Sequence, residues 1–152
     1  MNAVEIEAAI SDLAKQPFDP AEFPYAFLEA FGNKATTLKR LRTGASNKSD
    51  CGGVLQTNHI HIAVADSGAV TEALTRLKSS PATSRAKARY ILATDGVDFE
   101  AEDLDTGETV ACAYEAFPDH FGFFLPLAGI TTVKQLRDSS FDIRATSRLN
   151  LS

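Results

Sequence analysis

The chain of 152 residues has no tryptophan, one methionine, three histidines and two cysteines. Cys51 and Cys112 stand far apart and form no Cys-x-x-Cys pair, which excludes a disulfide framework; they read as buried or incidental thiols of a reducing compartment. No apolar run approaches the roughly 18 residues needed to cross a bilayer. The start, Met1 to Glu5, lacks the basic and apolar stretches of a signal peptide. A cytoplasmic protein with no membrane partner is the expectation. Gly52-Gly53 is not followed by the Gly-Lys-Ser/Thr of a phosphate-binding loop, so a bend into a strand is the better reading. The serines have no His or Asp partners at an informative spacing. A net charge of −5 argues against a protein that coats nucleic acid with its whole surface, though not against a local basic face.

What is present fits one ordinary domain with one core, at 44% hydrophobic residues. Ten phenylalanines point to a well-filled interior. Val4, Ile6, Ala9, Ile10 and Leu13 recur at helical spacing, predicting a helix over 3–15. Asp19 before Pro20 reads as a helix start, with Phe23, Phe27, Leu28 and Phe31 on one face, Pro24 in the first turns and Gly32-Asn33 as a stop. Thr36 to Arg42 is a short basic helix ending at Gly44. After the polar loop 46–50, Val54-Leu55-Gln56 and His59 to Val64 read as strands. A helix over 68–78 follows, then a strand over 89–94. Phe99 to Leu104 and Glu108 to Tyr114 form a hairpin across Asp105-Thr106-Gly107. The run Phe121 to Gly129 is dense and apolar, with Pro126 ending a strand. It reads as core, or if exposed as a docking patch for a following domain. Another helix starts over Thr132 to Arg137. The pattern is mixed α/β, a small sheet packed with helices.

Charge is divided along the chain. Lys34, Lys39, Arg40, Arg42 and Lys48 lie in a stretch with no acid before Asp50. Thr36, Thr37, Ser46, Asn47 and Ser49 add neutral donors, a combination suited to phosphate oxygens. A solvated helix face beside a flexible loop is the plainer alternative. Residues 95–119 hold acids and no Lys or Arg; their alternation with Phe99, Ala101 and Leu104 suggests the wet face of an edge hairpin, turned away from nucleic acid. His59 and His61 share a strand face at i, i+2, and His61 could join Asp50 at a metal. Two histidines on a partly exposed strand are the bland reading.

Three segments in order resemble one family. They are Phe27-Leu28-Glu29-Ala30-Phe31-Gly32, then Arg89 to Asp95 with Phe99, Asp103-Leu104 and Thr106, then Phe121-Gly122-Phe123-Phe124 through Gly129-Ile130. Over roughly residues 20–135 they look like the N-terminal domain of the MmeI-like single-chain restriction–modification methyltransferases. The resemblance implies a restriction-endonuclease-like mixed sheet flanked by helices. It also implies a larger parent with helical, N6-adenine methyltransferase and target-recognition parts, of which residues 1–152 would be a single nuclease-like fragment. The chain's end, Ala145 to Ser152, without a helix-closing glycine or proline, suggests truncation. DNA and the following helical and methyltransferase domains are the implied partners. S-adenosylmethionine belongs to the implied parent, since no Asn/Asp-Pro-Pro-Tyr/Phe or Phe-x-Gly-x-Gly element occurs here.

A nuclease of this kind needs two carboxylates and a lysine around Mg²⁺, appearing as Asp, about ten residues, then acid-x-Lys. Asp50 stands at the first position. Ile60, His61, Ile62 and Ala63 occupy the second, with no acid and no lysine. The expectation is therefore a vestigial site at Asp50 and His61, with no cofactor in this chain, and a role in DNA contact or domain docking. Two alternatives remain: a working Mg²⁺ nuclease rearranged around Asp50, Asp66 or a hairpin acid, and a stand-alone interaction domain.

Overall fold

The computed structural model describes residues 2–130. The helix expected over 132–137 and the chain end at 145–152 lie outside them. Three helices come first: α1 (Ala3–Lys15), α2 (Phe23–Ala30) and α3 (Ala35–Arg42). A reciprocal Asn2–Glu5 capping box starts α1. Helix α2 begins three residues later than Asp19-Pro20 suggests. Asp19 instead opens the preceding turn, its carboxylate accepting from the Ala21 N–H and its carbonyl from the Phe23 N–H.

Strands β1 (Val54–Gln56) and β2 (Ile60–Val64) form an antiparallel pair with Leu55 opposite His61. Helices α4 (Val70–Ser79) and α5 (Pro81–Arg85) then carry the chain over to β3 (Tyr90–Thr94), which is parallel to β2. Strands β4 (Asp98–Asp103) and β5 (Thr109–Ala113) complete an antiparallel meander. Among the described residues the sheet has five strands in the order β1-β2-β3-β4-β5. This is a mixed α/β domain, as the residue pattern implies.

Side-chain alternation assigns each face of the sheet to one helical layer. Ile60 and Ile62 of β2, Tyr90 and Leu92 of β3, and Phe99 and Ala101 of β4 face α1–α3 and the closing segment. Ala63, Ile91 and Ala93 face Val70, Ala73 and Leu77 of α4. Leu55 packs on Ala82, Ala86 and Ala88 around α5. The sheet is covered on both sides, which explains why β3 is buried throughout.

Two sequence expectations change. The run ending at Pro126 is not a strand. Tyr114–Ala128 is a 3₁₀ segment, interrupted at His120, that lies against α1. Its two prolines remove donors that a strand ladder would need, whereas short 3₁₀ turns tolerate them. The acidic hairpin is not simply a wet edge either. β4 is an inner strand, Glu100 accepts from Thr71 Oγ1 of α4 at 2.6 Å, and Glu102 pairs with Lys78 at 3.0 Å. Asp103 points into the core side, buried, with Arg89 bound to both carboxylate oxygens at 3.2 and 3.0 Å.

Candidate functional site

The loop entering β1 is tied down by its own polar side chains. Asn47 Oδ1 accepts from the N–H groups of Ser49 and Leu55, while its Nδ2 donates to the Gly53 carbonyl. Gly53 lies so close to the Ile62 carbonyl that a β-carbon there would collide with it. The loop is thereby pressed against β2. Asp50 and Cys51 come within reach of His61, which projects from β2 towards α5 and is fully buried.

The protonation of His61 follows from its partners. Thr83 Oγ1 donates to the Leu77 carbonyl at 2.8 Å, so it can only accept from His61 Nδ1, also at 2.8 Å. The proton therefore sits on Nδ1, and Nε2 is the bare nitrogen. It faces Ser49 Oγ at 2.8 Å, whose hydroxyl donates to it. Burial holds the imidazole below its ordinary pKa, against an opposing pull from the Asp50 charge. Hydrogen bonds from the Ser80 hydroxyl and the Cys51 thiol to Asp50 Oδ1 hold that carboxyl below its usual range. The Cys51 thiol is pushed up by burial and by the neighbouring Asp50.

Ser49 and His61 have the separation of a base-activated hydroxyl. Ser49 Oγ, however, also accepts from the N–H groups of Cys51 and Gly53, at 3.2 and 3.1 Å. Both its lone pairs are occupied, so none is free to attack a substrate. The cluster also does not fit the Mg²⁺ of a nuclease. It supplies one carboxylate, a thiol and an imidazole, with no second acid and no lysine, where Mg²⁺ takes oxygen ligands. Ile60 and Ile62, which flank His61, are buried in the opposite layer. Among the described residues Asp66 and the acids of the β4–β5 hairpin form no such cluster with Asp50. His59 does not join it, being an exposed turn residue before β2.

The five cations of the basic stretch are less uniform than their spacing suggests. Arg42 is committed to α2: it makes two 2.7 Å hydrogen bonds to Glu22 and stacks 4.1 Å from the Tyr25 ring. Lys34, Lys39, Arg40 and Lys48 are exposed and make no ion pair among the described residues. Lys39 borders a groove with Glu22 and Glu29, whereas Lys48 shares a pocket of about 340 Å³ with Thr57 and Arg85. Asn47 and Ser49 are spent on the loop backbone and are not spare phosphate donors. Sequence reasoning missed Cys51, Thr83, Ser80 and Arg85. The pair Ser80-Pro81 was the available signal, because a capping serine before a proline at the first helical position marks the start of α5.

A five-stranded mixed sheet between two helical layers, with a polar cluster where the loop before β1 meets β2, defines a small mixed α/β domain. Residues 1–151 match the family model described as "MmeI, N-terminal domain", and the chain belongs to that family. It is similar to DNA methyltransferase A of Bacillus subtilis (strain 168), with 29% identity over 149 residues. That alignment covers 97% of this chain but 17% of the relative, so the chain spans a minor part of that protein's length. No solved structure matches the chain. Among the described residues no helix is long and apolar enough to cross a membrane.

Proposed function

We propose that this chain is a non-cutting, nuclease-fold domain of a DNA adenine methyltransferase in restriction–modification or phage defence, and that it contributes contacts to DNA. The observation that carries this reading is the composition of β2. Where phosphodiester hydrolysis needs acid-x-Lys, the strand presents Ile60-His61-Ile62, and His61 is held by Ser49 and Thr83. The paired carboxylates for Mg²⁺ and the ammonium group that would offset charge on a scissile phosphate are therefore not supplied by this strand. S-adenosylmethionine chemistry belongs to a methyltransferase region outside these residues, in keeping with the small share of the relative that the chain covers. Within the basic stretch the cations available for phosphate are Lys34, Lys39, Arg40 and Lys48, which make no ion pair among the described residues, with Arg85 beside Lys48.

Fluorescence anisotropy with a labelled duplex tests the contact. Binding is expected to be weak, with log K falling by about 0.9 per tenfold rise in salt for each phosphate neutralised. The Lys39→Ala/Arg40→Ala/Lys48→Ala variant is expected to reduce that slope by about 2–3, one per lost contact. Arg42 is left intact because its removal would also unpair Glu22. Binding and salt slope unchanged in the triple variant would remove DNA contact from the proposal and leave domain docking.

A further inference from the structure

We propose that Asp50, Cys51 and His61 bind one borderline-soft divalent cation of the Zn²⁺ class, through a carboxylate oxygen, the thiolate sulfur and imidazole Nε2. The three donor atoms lie within 4.8 Å of one another. Asp50 Oδ1 and Cys51 Sγ are already 3.1 Å apart, joined by the thiol hydrogen. Bonds of about 2.0–2.3 Å to nitrogen, oxygen and sulfur place tetrahedral ligands about 3.3–3.8 Å from one another, so the loop has to close by only about 1 Å.

The surroundings are arranged as supports for ligands. The Nδ1–H of His61 is anchored on Thr83 Oγ1, itself fixed by the Leu77 carbonyl, which leaves Nε2 bare and directed at the loop. Imidazole ligands are commonly oriented in this way, by an acceptor on the far nitrogen. Ser80 Oγ donates to Asp50 Oδ1 at 2.6 Å and orients the carboxylate. One ligand thus comes from a buried strand, and the other two from a loop pinned by Asn47. Asp50 is exposed and Cys51 half-buried, giving the ion a path from solvent and leaving the fourth position to water.

The exchange balances simply. The ion replaces the hydrogen between Cys51 Sγ and Asp50 Oδ1, and that proton leaves to solvent. The Ser49 hydroxyl turns away from Nε2, keeping its hydrogen, and the imidazole stays neutral throughout. Sulfur and nitrogen donors favour Zn²⁺ or Co²⁺ over Mg²⁺. Cys112, on β5, belongs to no such cluster among the described residues and serves as the internal control.

Titration of the full chain with Co²⁺, followed by absorption, tests the site without reference to DNA. One equivalent is expected to produce a sulfur-to-cobalt charge-transfer band and the visible bands of a tetrahedral ion. Binding of that first ion should release about one proton per chain, and Zn²⁺ should then displace the Co²⁺ with no further release. Cys51→Ser should abolish the charge-transfer band and Cys112→Ser should leave it intact. Ser80→Ala, which removes the hydrogen bond to Asp50 together with the side-chain cap of α5, is expected to weaken binding about tenfold. These variants avoid the buried His61, and circular dichroism checks that each is folded. Absence of the band in the wild-type chain, or a band that survives Cys51→Ser, would overturn the proposal.

Discussion

Phe117→Ala is expected to destabilise the domain by about 3–5 kcal/mol, the loss typical of emptying a buried aromatic site. The ring is 1% exposed and stacks on Phe99 with centroids 4.6 Å apart and planes 5° from parallel. It also meets Tyr114 at 5.1 Å and the edge of Phe23 at 6.2 Å. One side chain therefore ties the 3₁₀ segment to β4 and to α2, and such pairs add to the burial energy of each ring. Its surroundings belong to three separate elements, which limits how far the cavity can collapse. A domain near the lower end of the usual range, with a total stability of about 5 kcal/mol, would be left near its unfolding midpoint. Urea unfolding followed by far-ultraviolet circular dichroism measures the effect as a lower midpoint at unchanged slope. A loss below about 1 kcal/mol would mean that Tyr114–Ala128 does not close the core as described.

The second large effect is expected at Asp103, whose side chain is 3% exposed while Arg89 beside it is 34% exposed. Asp103→Ala is expected to cost about 2–4 kcal/mol, because it removes half of a largely desolvated pair. The partial exposure of Arg89 keeps the loss towards the lower end. Besides Arg89, the carboxylate accepts from the Asp105 N–H at 3.0 Å and so helps to shape the β4–β5 turn. Burial by itself would raise the Asp103 pKa, but Arg89 and the N–H groups of Asp105 and Thr106 outweigh it and the net shift is downward. A carboxyl depressed in the folded state binds fewer protons than the unfolded chain does. Its contribution is complete above the unfolded value of about 3.9 and is lost as pH falls through the folded one. Urea midpoints from pH 6 down to pH 3 are therefore expected to fall more steeply for the wild type than for Asp103→Asn. Parallel acid limbs in the two proteins would contradict this role for the pair.

Local periodicity made most of the architecture legible. The apolar spacing of Ile6, Ile10 and Leu13 defines α1, that of Val70, Ala73 and Leu77 defines α4, and Asp105-Thr106-Gly107 joins the β4–β5 hairpin. The errors arose where period and composition disagree. Phe121 to Gly129 is too uniformly apolar to show a period, so strand and 3₁₀ structure could not be told apart until the segment was seen against α1. Asp103 was grouped with the wet acids by its charge, although i, i+2 counting from Phe99 and Ala101 already puts it on the core side. Long-range pairing was the other gap. Arg42 looked free because its partner, Glu22, lies 20 residues earlier, at the N-terminal cap of α2.

The site was partly legible for the same reasons. Asp50 and His61 follow from their places around the β1–β2 pair, and the structure brings them together. Cys51 carried no spacing signal, since its partners are an adjacent acid and a histidine on β2, beyond the intervening strand β1. Thr83 sits 22 residues from His61, in a five-residue helix too short to show periodicity, yet it fixes which imidazole nitrogen is bare.

Loss of the cutting chemistry is the claim on which the functional account rests, and supercoiled plasmid tests it most directly. The plasmid is incubated with Mg²⁺ or Mn²⁺ and the protein, both as the 152-residue chain and within the larger methyltransferase polypeptide that the family resemblance implies, with S-adenosylmethionine present. The account expects no nicking above the buffer control in either form. Metal-dependent nicking that disappears in Asp50→Ala would contradict it.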